Sequence, residues 1–358
     1  MKSMIIGTIL LSVSLFLNSC KKDTDEMVVV LAAGQTREYF IAADEVEWNY
    51  SPSSTNLFTG MPYTNMELVY LVNDTNRIGR KNIKAIYRLY TDASFSTLTT
   101  TADDAEKGIL GPVIRAEVGD KIKVTFNNRT KFSMSMHPHG VQYDSDNEGV
   151  NAVEPGTIFI YNWGVPESAG PASGDVSSVC WMYHSHVMTN MMQDINAGLV
   201  GPLIVYKKGF LTDNKAKDMD VEKFSFFSVI DENLSLYLDS NIIHYTDGTV
   251  DKNDPGFKES NMKHSINGLM FGNQHYYVKL GQNVRWYLIA LGNEVDWHTA
   301  HWHGNTVVFK DNRTDVVALG PANMLVADMK ASNAGTWQYH CHVDSHMTAG
   351  MDAIYTVQ

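Results

Sequence analysis

Ten of the chain's thirteen histidines fall into four short clusters: His137-Pro-His139-Gly, His184-Ser-His186, His298-Thr-Ala-His301-Trp-His303-Gly and His340-Cys341-His342-Val-Asp-Ser-His346. Imidazole is the commonest protein ligand for a transition metal, and side chains two apart on a strand share a face. Each H-x-H pair therefore aims two imidazoles the same way, and the four pairs offer eight ligand nitrogens. A solitary core histidine is usually only hydrogen-bonded. Four paired clusters, two in each half of the chain, point instead to a polynuclear metal site.

The second half carries more. Cys341, His298 and His346 add one thiolate and two imidazoles, and Met351 follows the cysteine by ten residues. Two histidines, a cysteine and a weak axial thioether form the ligand set of a blue, electron-transferring copper. In the first half, Met134 stands three before the H-x-H-Gly, where the second half has His298, and Ser185 stands in the place of Cys341. One blue site per chain is the expectation.

Strands must position these ligands. Lys121–Phe126 and Asn283–Leu288 alternate polar and apolar residues, as half-buried strands do, and Leu199–Tyr206 is a short apolar run. The halves repeat one plan. Gly119 opens a strand 18 residues before His137, and Gly281 opens one 20 before His301. His139 and His184 are 45 residues apart, His303 and His340 are 37 apart. Two all-β sandwiches of similar topology follow, spanning 35–207 and 223–358, with the Lys- and Asp-rich stretch 208–222 as linker.

The 358 residues suit two domains, and 44% hydrophobic with 19% charged residues is ordinary for a chain with real cores. A net charge of −12 argues against a nucleic-acid partner. Three cysteines, one inside a histidine cluster, exclude a disulfide framework, and Cys180 reads as a small buried hydrophobe. Residues 1–19 resemble a bacterial lipoprotein signal: Met1-Lys2-Ser3, an apolar run from Met4 to Leu17, then Asn18-Ser19-Cys20. Cys20 would carry the lipid and 20–34 would be a tether. That predicts an extracytoplasmic protein held to the membrane only through its lipid, with Lys21 after the cysteine favouring the outer membrane.

With these motifs the chain resembles the multicopper oxidases, and more closely their ceruloplasmin–hephaestin branch than the plant laccases. Arg37–Ala43, Gly198–Ile204 and His264–Gly272 add to the likeness, which covers nearly all of the chain after the tether. The resemblance implies two cupredoxin-like Greek-key domains, as in the small two-domain bacterial oxidases, and four coppers per chain. The type 1 copper would take His298, Cys341, His346 and Met351, and the type 2 copper His137 and His301. One type 3 copper would take His139, His184 and His342, the other His186, His303 and His340. The implied chemistry is four one-electron substrate oxidations coupled to reduction of O2 to two waters. A two-domain nitrite reductase fits poorly, since that family has its blue site in the first domain and a lone catalytic copper. A non-enzymatic copper carrier would draw on Met182, Met188, Met191 and Met192, because thioethers suit Cu(I), yet methionines more often fill core gaps.

Glu148, nine residues after His139, is the candidate proton donor by comparison with relatives; a solvated loop carboxylate beside Asp144 and Asp146 is the competing reading. Tyr143 is a candidate redox-active neighbour. For the substrate, likeness to ferroxidases implies Fe(II) held by Glu259 and His264, with Glu294 as a further carboxylate. The chain departs from that pattern at Ser345, where ferroxidases have Asp, and Asp344 lies one position earlier. Phenols or Cu(I), oxidised as by laccases, are the alternative reductants. The cluster ligands are split four and four between the halves, and in larger relatives the first and last domains of a closed ring meet. A two-domain chain can repeat that contact head to tail, which predicts a homotrimer with three intersubunit clusters; a monomer folding its domains together is the alternative.

Overall fold

Alternating burial along the strands builds four sheets stacked in series. The computed structural model describes residues 34–189, 191–294 and 296–358, so Cys20 and the expected signal lie outside the described residues. The first half holds β1 (Thr36–Asn49), β2 (Lys81–Tyr90), β3 (Ile114–Glu117), β4 (Lys121–Asn128), β5 (His137–Pro138), β6 (Ile158–Gly164), β7 (Ser178–His184) and β8 (Val200–Tyr206). They form two sheets, ordered β2-β1-β4-β6 and β3-β8-β7-β5.

A short hairpin, β9 (Leu211–Thr212) and β10 (Lys215–Ala216), leads into the second half. There follow β11 (Val221–Asp231), β12 (Met262–Ile266), β13 (Gln274–Val278), β14 (Asn283–Ala290), β15 (His298–Trp302) and β16 (Val307–Phe309). The chain ends with β17 (Asn312–Thr314), β18 (Val316–Leu319), β19 (Met324–Lys330), β20 (Gly335–Cys341) and β21 (Asp352–Val357). Their sheets run β12-β11-β14-β19-β16-β17 and β13-β21-β20-β15-β18. The helices are short: α1 (Asn65–Leu71), α2 (Met191–Ala197), α3 (Leu238–Tyr245), α4 (Pro255–Ser260) and α5 (Asp344–Thr348). None among the described residues is long and apolar enough to cross a membrane.

The period-2 pattern explains the layering. In β4, Ile122, Val124 and Phe126 point into the first-half core while Lys121 is exposed. β14 is buried on both faces. Val284, Trp286 and Leu288 join the second-half core with Phe227 and Val229, whereas Tyr287 and Ile289 join a third apolar layer with Phe224 and Phe226. β8 mirrors this from the other side, with Leu203 and Val205 in the first-half core and Ile204 and Tyr206 in the shared layer. The two sandwiches thus close on each other through a common apolar seam.

Within residues 208–222, expected to link the halves, Leu211, Ala216 and Met219 reach that seam while most of the other residues are exposed. Leu211 N–H donates to the Glu117 carboxylate at 2.7 Å, and Ala216 N–H to Glu222 at 2.8 Å. Glu222 also accepts from Tyr206 at 3.0 Å, Tyr287 at 2.9 Å and Arg115 at 3.2 Å. Removing one member of such a buried, charged network costs about 3–5 kcal/mol, so the seam resists domain rotation.

Candidate metal centre

β15 and β20 pair antiparallel, with Ala300 opposite Cys341 and His301 opposite His340. Alternation then sorts the ligands. His298 and Cys341 turn into the core, at 1% and 0% exposure, while His301 and His340 meet on the other face. His346 comes from α5, directly after β20, and is also buried. Its Nδ1 lies 3.1 Å from His298 Nδ1, and Cys341 Sγ lies 3.9 and 3.7 Å from these two nitrogens. Ligands about 2.0 Å (nitrogen) and 2.3 Å (sulfur) from one ion, in a trigonal plane, are about 3–4 Å apart. The triangle fits one metal ion.

The thiol is prepared for it. Burial pushes the Cys341 thiol up, but hydrogen bonds from His298, His346 and the Thr299 and Val343 N–H groups outweigh burial and bring it down to about 6. Met351 is fully buried beside it, its carbonyl accepting the Cys341 N–H at 3.0 Å.

The other eight histidines of the four clusters gather as two quartets. In the first half, His139 Nε2 and His184 Nε2 are 3.1 Å apart, and the His137 ring lies 5.0 Å from that of His186. In the second, His303 Nε2 and His301 Nδ1 lie 3.0 and 3.2 Å from His340 Nε2, with His342 5.1 Å from His301 between ring centres. Burial lowers the imidazole pKa of His139 to about 4, of His184 to about 3 and of His340 to about 4, so these rings are neutral and their lone pairs are free for a metal. His186 Nδ1 is buried without a hydrogen-bond partner. Spacings and an orphaned nitrogen both fit bound metal. Among the described residues no ring contact joins one quartet to the other.

The glycine after the first H-x-H pair of each half has a steric cause. Gly140 and Gly304 have φ of +78° and +73°, and a Cβ there would lie 2.2 Å from the Trp181 indole and 2.3 Å from that of Trp337. Each Trp stands three residues before a ligand of the paired strand, in Trp181-Met-Tyr-His184 and Trp337-Gln-Tyr-His340. This repeated W-x-Y-H-x-H was legible in the sequence and strengthens the internal repeat.

The other candidates are placed as follows. Glu148 is half-buried, and its main-chain carbonyl lies 2.6 Å from His137 Nδ1. Tyr143 packs edge-on against His137 at 5.8 Å. His264 lies 5.2 Å from His346 between ring centres. Glu259, Glu294 and Asp344 are exposed. Cys180 is buried in the shared layer, and burial pushes its thiol up, as for an inert hydrophobe. The methionine stretch does not converge: Met182 is fully buried and Met188 is 73% exposed.

One residue was not singled out from sequence. Asp296, fully buried, accepts the Val229 N–H at 2.8 Å and lies 3.2 Å from His298 Nε2, so it orients that ring from behind. Gly292 leaves its carboxylate room, since a Cβ there would lie 1.9 Å from Oδ2. A metal-bound imidazole whose far nitrogen meets a carboxylate is fixed in orientation and made more basic. Its sequence signal was an acid two residues before His298.

Comparison with known proteins agrees with this site. Two family models described as multicopper oxidase match residues 90–209 and 240–358. Hephaestin of Rattus norvegicus is 38% identical over 98% of this chain and 31% of its own length. The ferroxidase HEPHL1 of Mus musculus is 39% identical over 91% of this chain and 30% of its own, and ceruloplasmin of Homo sapiens 40% over 90% and 32%. The chain therefore spans about a third of the length of these relatives. Among solved structures, one described as a blue copper oxidase from Nitrosomonas europaea superposes with a TM-score of 0.56 at 21% identity, covering 90% of this chain and 86% of that one, which shows a shared fold. The chain belongs to the multicopper oxidase family, a class of oxidoreductases, in its ceruloplasmin–hephaestin branch, and that family implies copper.

Proposed function

We propose that the chain couples four one-electron oxidations to the reduction of O2, with Fe(II) as favoured reductant: 4 Fe(II) + O2 + 4 H+ gives 4 Fe(III) + 2 H2O. The observation that carries this reading is β20, which sets Cys341 against His298 and His346 on one face and places His340 and His342 among a quartet on the other. Copper would supply a one-electron acceptor beside Cys341 and an oxygen-reducing centre among the histidines. We assign type 1 copper to His298, Cys341, His346 and Met351, type 2 to His137 and His301, and the type 3 pair to His139, His184, His342 and His186, His303, His340. An electron delivered at the Cys341 sulfur is then a few covalent bonds from either neighbouring histidine. Glu148, beside His137, is the proposed source of protons for water formation.

Glu259 and His264, with Asp344 and Glu294, are the proposed Fe(II) ligands; the ferroxidase name of HEPHL1 and the nearness of His264 to His346 support this. The test is oxygen uptake by copper-loaded protein with Fe(II), Cu(I) and a phenol. Replacing Glu259 and His264 by alanine should raise KM for Fe(II) and spare phenol oxidation; if both activities fall together, there is no iron site. A laccase-like reading has its own support, since Trp297, next to His298 in sequence, is 64% exposed and offers an aromatic donor a surface near the thiolate site.

For assembly we propose a head-to-tail homotrimer. The quartets make no ring contact with each other within a chain, and three copies match the length of the relatives. A monomeric mass for active, copper-replete protein would defeat it. We further propose a lipid on Cys20 that anchors the chain to the outer membrane, to be tested by lipid labelling of wild type and Cys20→Ala.

A further inference from the structure

Beside the thiolate site, one side chain touches both central residues of the proposed iron site. Tyr70 on α1 donates its hydroxyl proton to Glu259 Oε1 at 2.6 Å, and its ring meets that of His264 edge-on at 5.9 Å between centroids. His264 in turn lies against His346, and its Nδ1 is buried with no hydrogen-bond partner. Glu259 and His264 belong to the second half of the chain. Tyr70 belongs to the first, 189 residues from Glu259.

A buried ammonium ties these pieces together. Lys263 is fully buried, and its Nζ donates to the carbonyl oxygens of Tyr70 at 2.8 Å, Gly79 at 2.9 Å and Ser260 at 2.6 Å. It therefore pins the end of α1 that carries Tyr70 to the end of α4 that carries Glu259. Three hydrogen bonds to main-chain oxygens satisfy an ammonium that would otherwise be costly to bury.

We propose that Tyr70 is a positioning residue of the divalent-cation site, holding the Glu259 carboxylate beside His264, with Lys263 as the clamp that brings the two helices together. The proposal rests on the Fe(II) reading above. An exposed glutamate loses rotamer freedom when it binds a cation, and a partner that orders it beforehand lowers that cost. Tyr70 takes one carboxylate oxygen and leaves the other to the cation.

Tyr70→Phe keeps the ring on His264 and removes only the hydroxyl. On copper-loaded protein it should raise KM for Fe(II) about tenfold with kcat little changed, the loss expected for one hydrogen bond to a charged group. The ratio of Fe(II) to phenol kcat/KM should fall by the same factor. Calorimetric titration with Mn(II), which reads binding without turnover, should show a Kd raised to the same extent, with an unfolding midpoint near that of wild type. If Tyr70→Phe keeps the wild-type KM and Mn(II) affinity while Glu259→Ala loses both, the cation site stands and the role of Tyr70 is overturned. If wild type binds no Mn(II) and oxidises Fe(II) only at the background rate, the iron reading fails and this proposal falls with it.

Discussion

The two halves share one strand plan and part company at a few buried positions, above all Cys341 against Ser185 and His298 against Met134. In the second half the Cys341 N–H bonds to the Met351 carbonyl, and its sulfur faces His298 and His346. In the first, the same backbone bond runs from Ser185 to the Leu199 carbonyl at 3.1 Å, and the buried Met134 occupies the place of His298. The Ser185 hydroxyl donates instead to Asp194 at 2.7 Å, and the Val187 N–H donates to the same carboxylate oxygen at 3.1 Å. Both halves nonetheless assemble a histidine quartet. A quartet needs only strand pairing and period-2 alternation, supplied by β5 with β7 and by β15 with β20. The thiolate site also needs particular chemistry at several positions, His298 on β15, Cys341 on β20 and His346 on α5.

The largest effect expected from breaking this asymmetry is at Cys341. Cys341→Ser should abolish the thiolate-to-copper absorption and turnover completely, while the histidines still bind metal; a surviving blue band in the spectrum would exclude the assignment. Next come the paired glycines. Gly140→Ala and Gly304→Ala each drive a Cβ into an indole from a left-handed backbone, so each should lower unfolding free energy by about 2–4 kcal/mol in denaturant titrations. Unequal losses would show that the halves are less alike than their strands.

A smaller effect is expected from Asp194, whose carboxyl burial raises to about 7 against the hydrogen bonds of Ser185 and Val187. Between the unfolded value near 4 and about 7, the folded chain keeps a proton that the unfolded chain has released. The contribution of Asp194 to stability of the copper-free protein should thus be fullest below pH 4 and fall by roughly 3 kcal/mol as pH rises to 7, read as the difference between wild type and Asp194→Asn because the neutral buried histidines His139, His184 and His340 shift stability the opposite way. Asp194→Asn should flatten that slope in melts recorded across this range. The smallest effect is a null one: Ser185→Cys should add no second blue band, because Met134 supplies no imidazole where the second half has His298, and Leu199 no thioether where it has Met351. A second band would break the comparison.

Much of the candidate metal centre was legible because its logic is local. H-x-H on a strand shares a face whatever the rest of the chain does, and the cysteine between His340 and His342 must point the opposite way. Strand alternation likewise marked Lys121–Phe126 and Asn283–Leu288 as β4 and β14. Asp296 carried the same kind of signal, but an acid two residues before His298 cannot be told from a surface carboxylate until its burial is known. The charge of 208–222 marked it as a linker, and what the sequence did not show is that Glu117 and Glu222 tether two of its backbone N–H groups to the seam.

The amino-acid order by itself determined the candidate ligand types, their spacing, the two repeated sandwiches and the cysteine set among histidines, since each follows from residue chemistry and a two-residue period. The tertiary structure decided what meets across sequence distance. Tyr70 reaches Glu259 only because the two sandwiches close on a common apolar layer, and Lys263 joins α1 to α4 only once that layer is buried. Among the described residues it also leaves the quartets without a ring contact within one chain. Such long-range contacts are selected by the packing of whole faces, a free energy summed over many apolar side chains, and no short stretch of sequence encodes that sum.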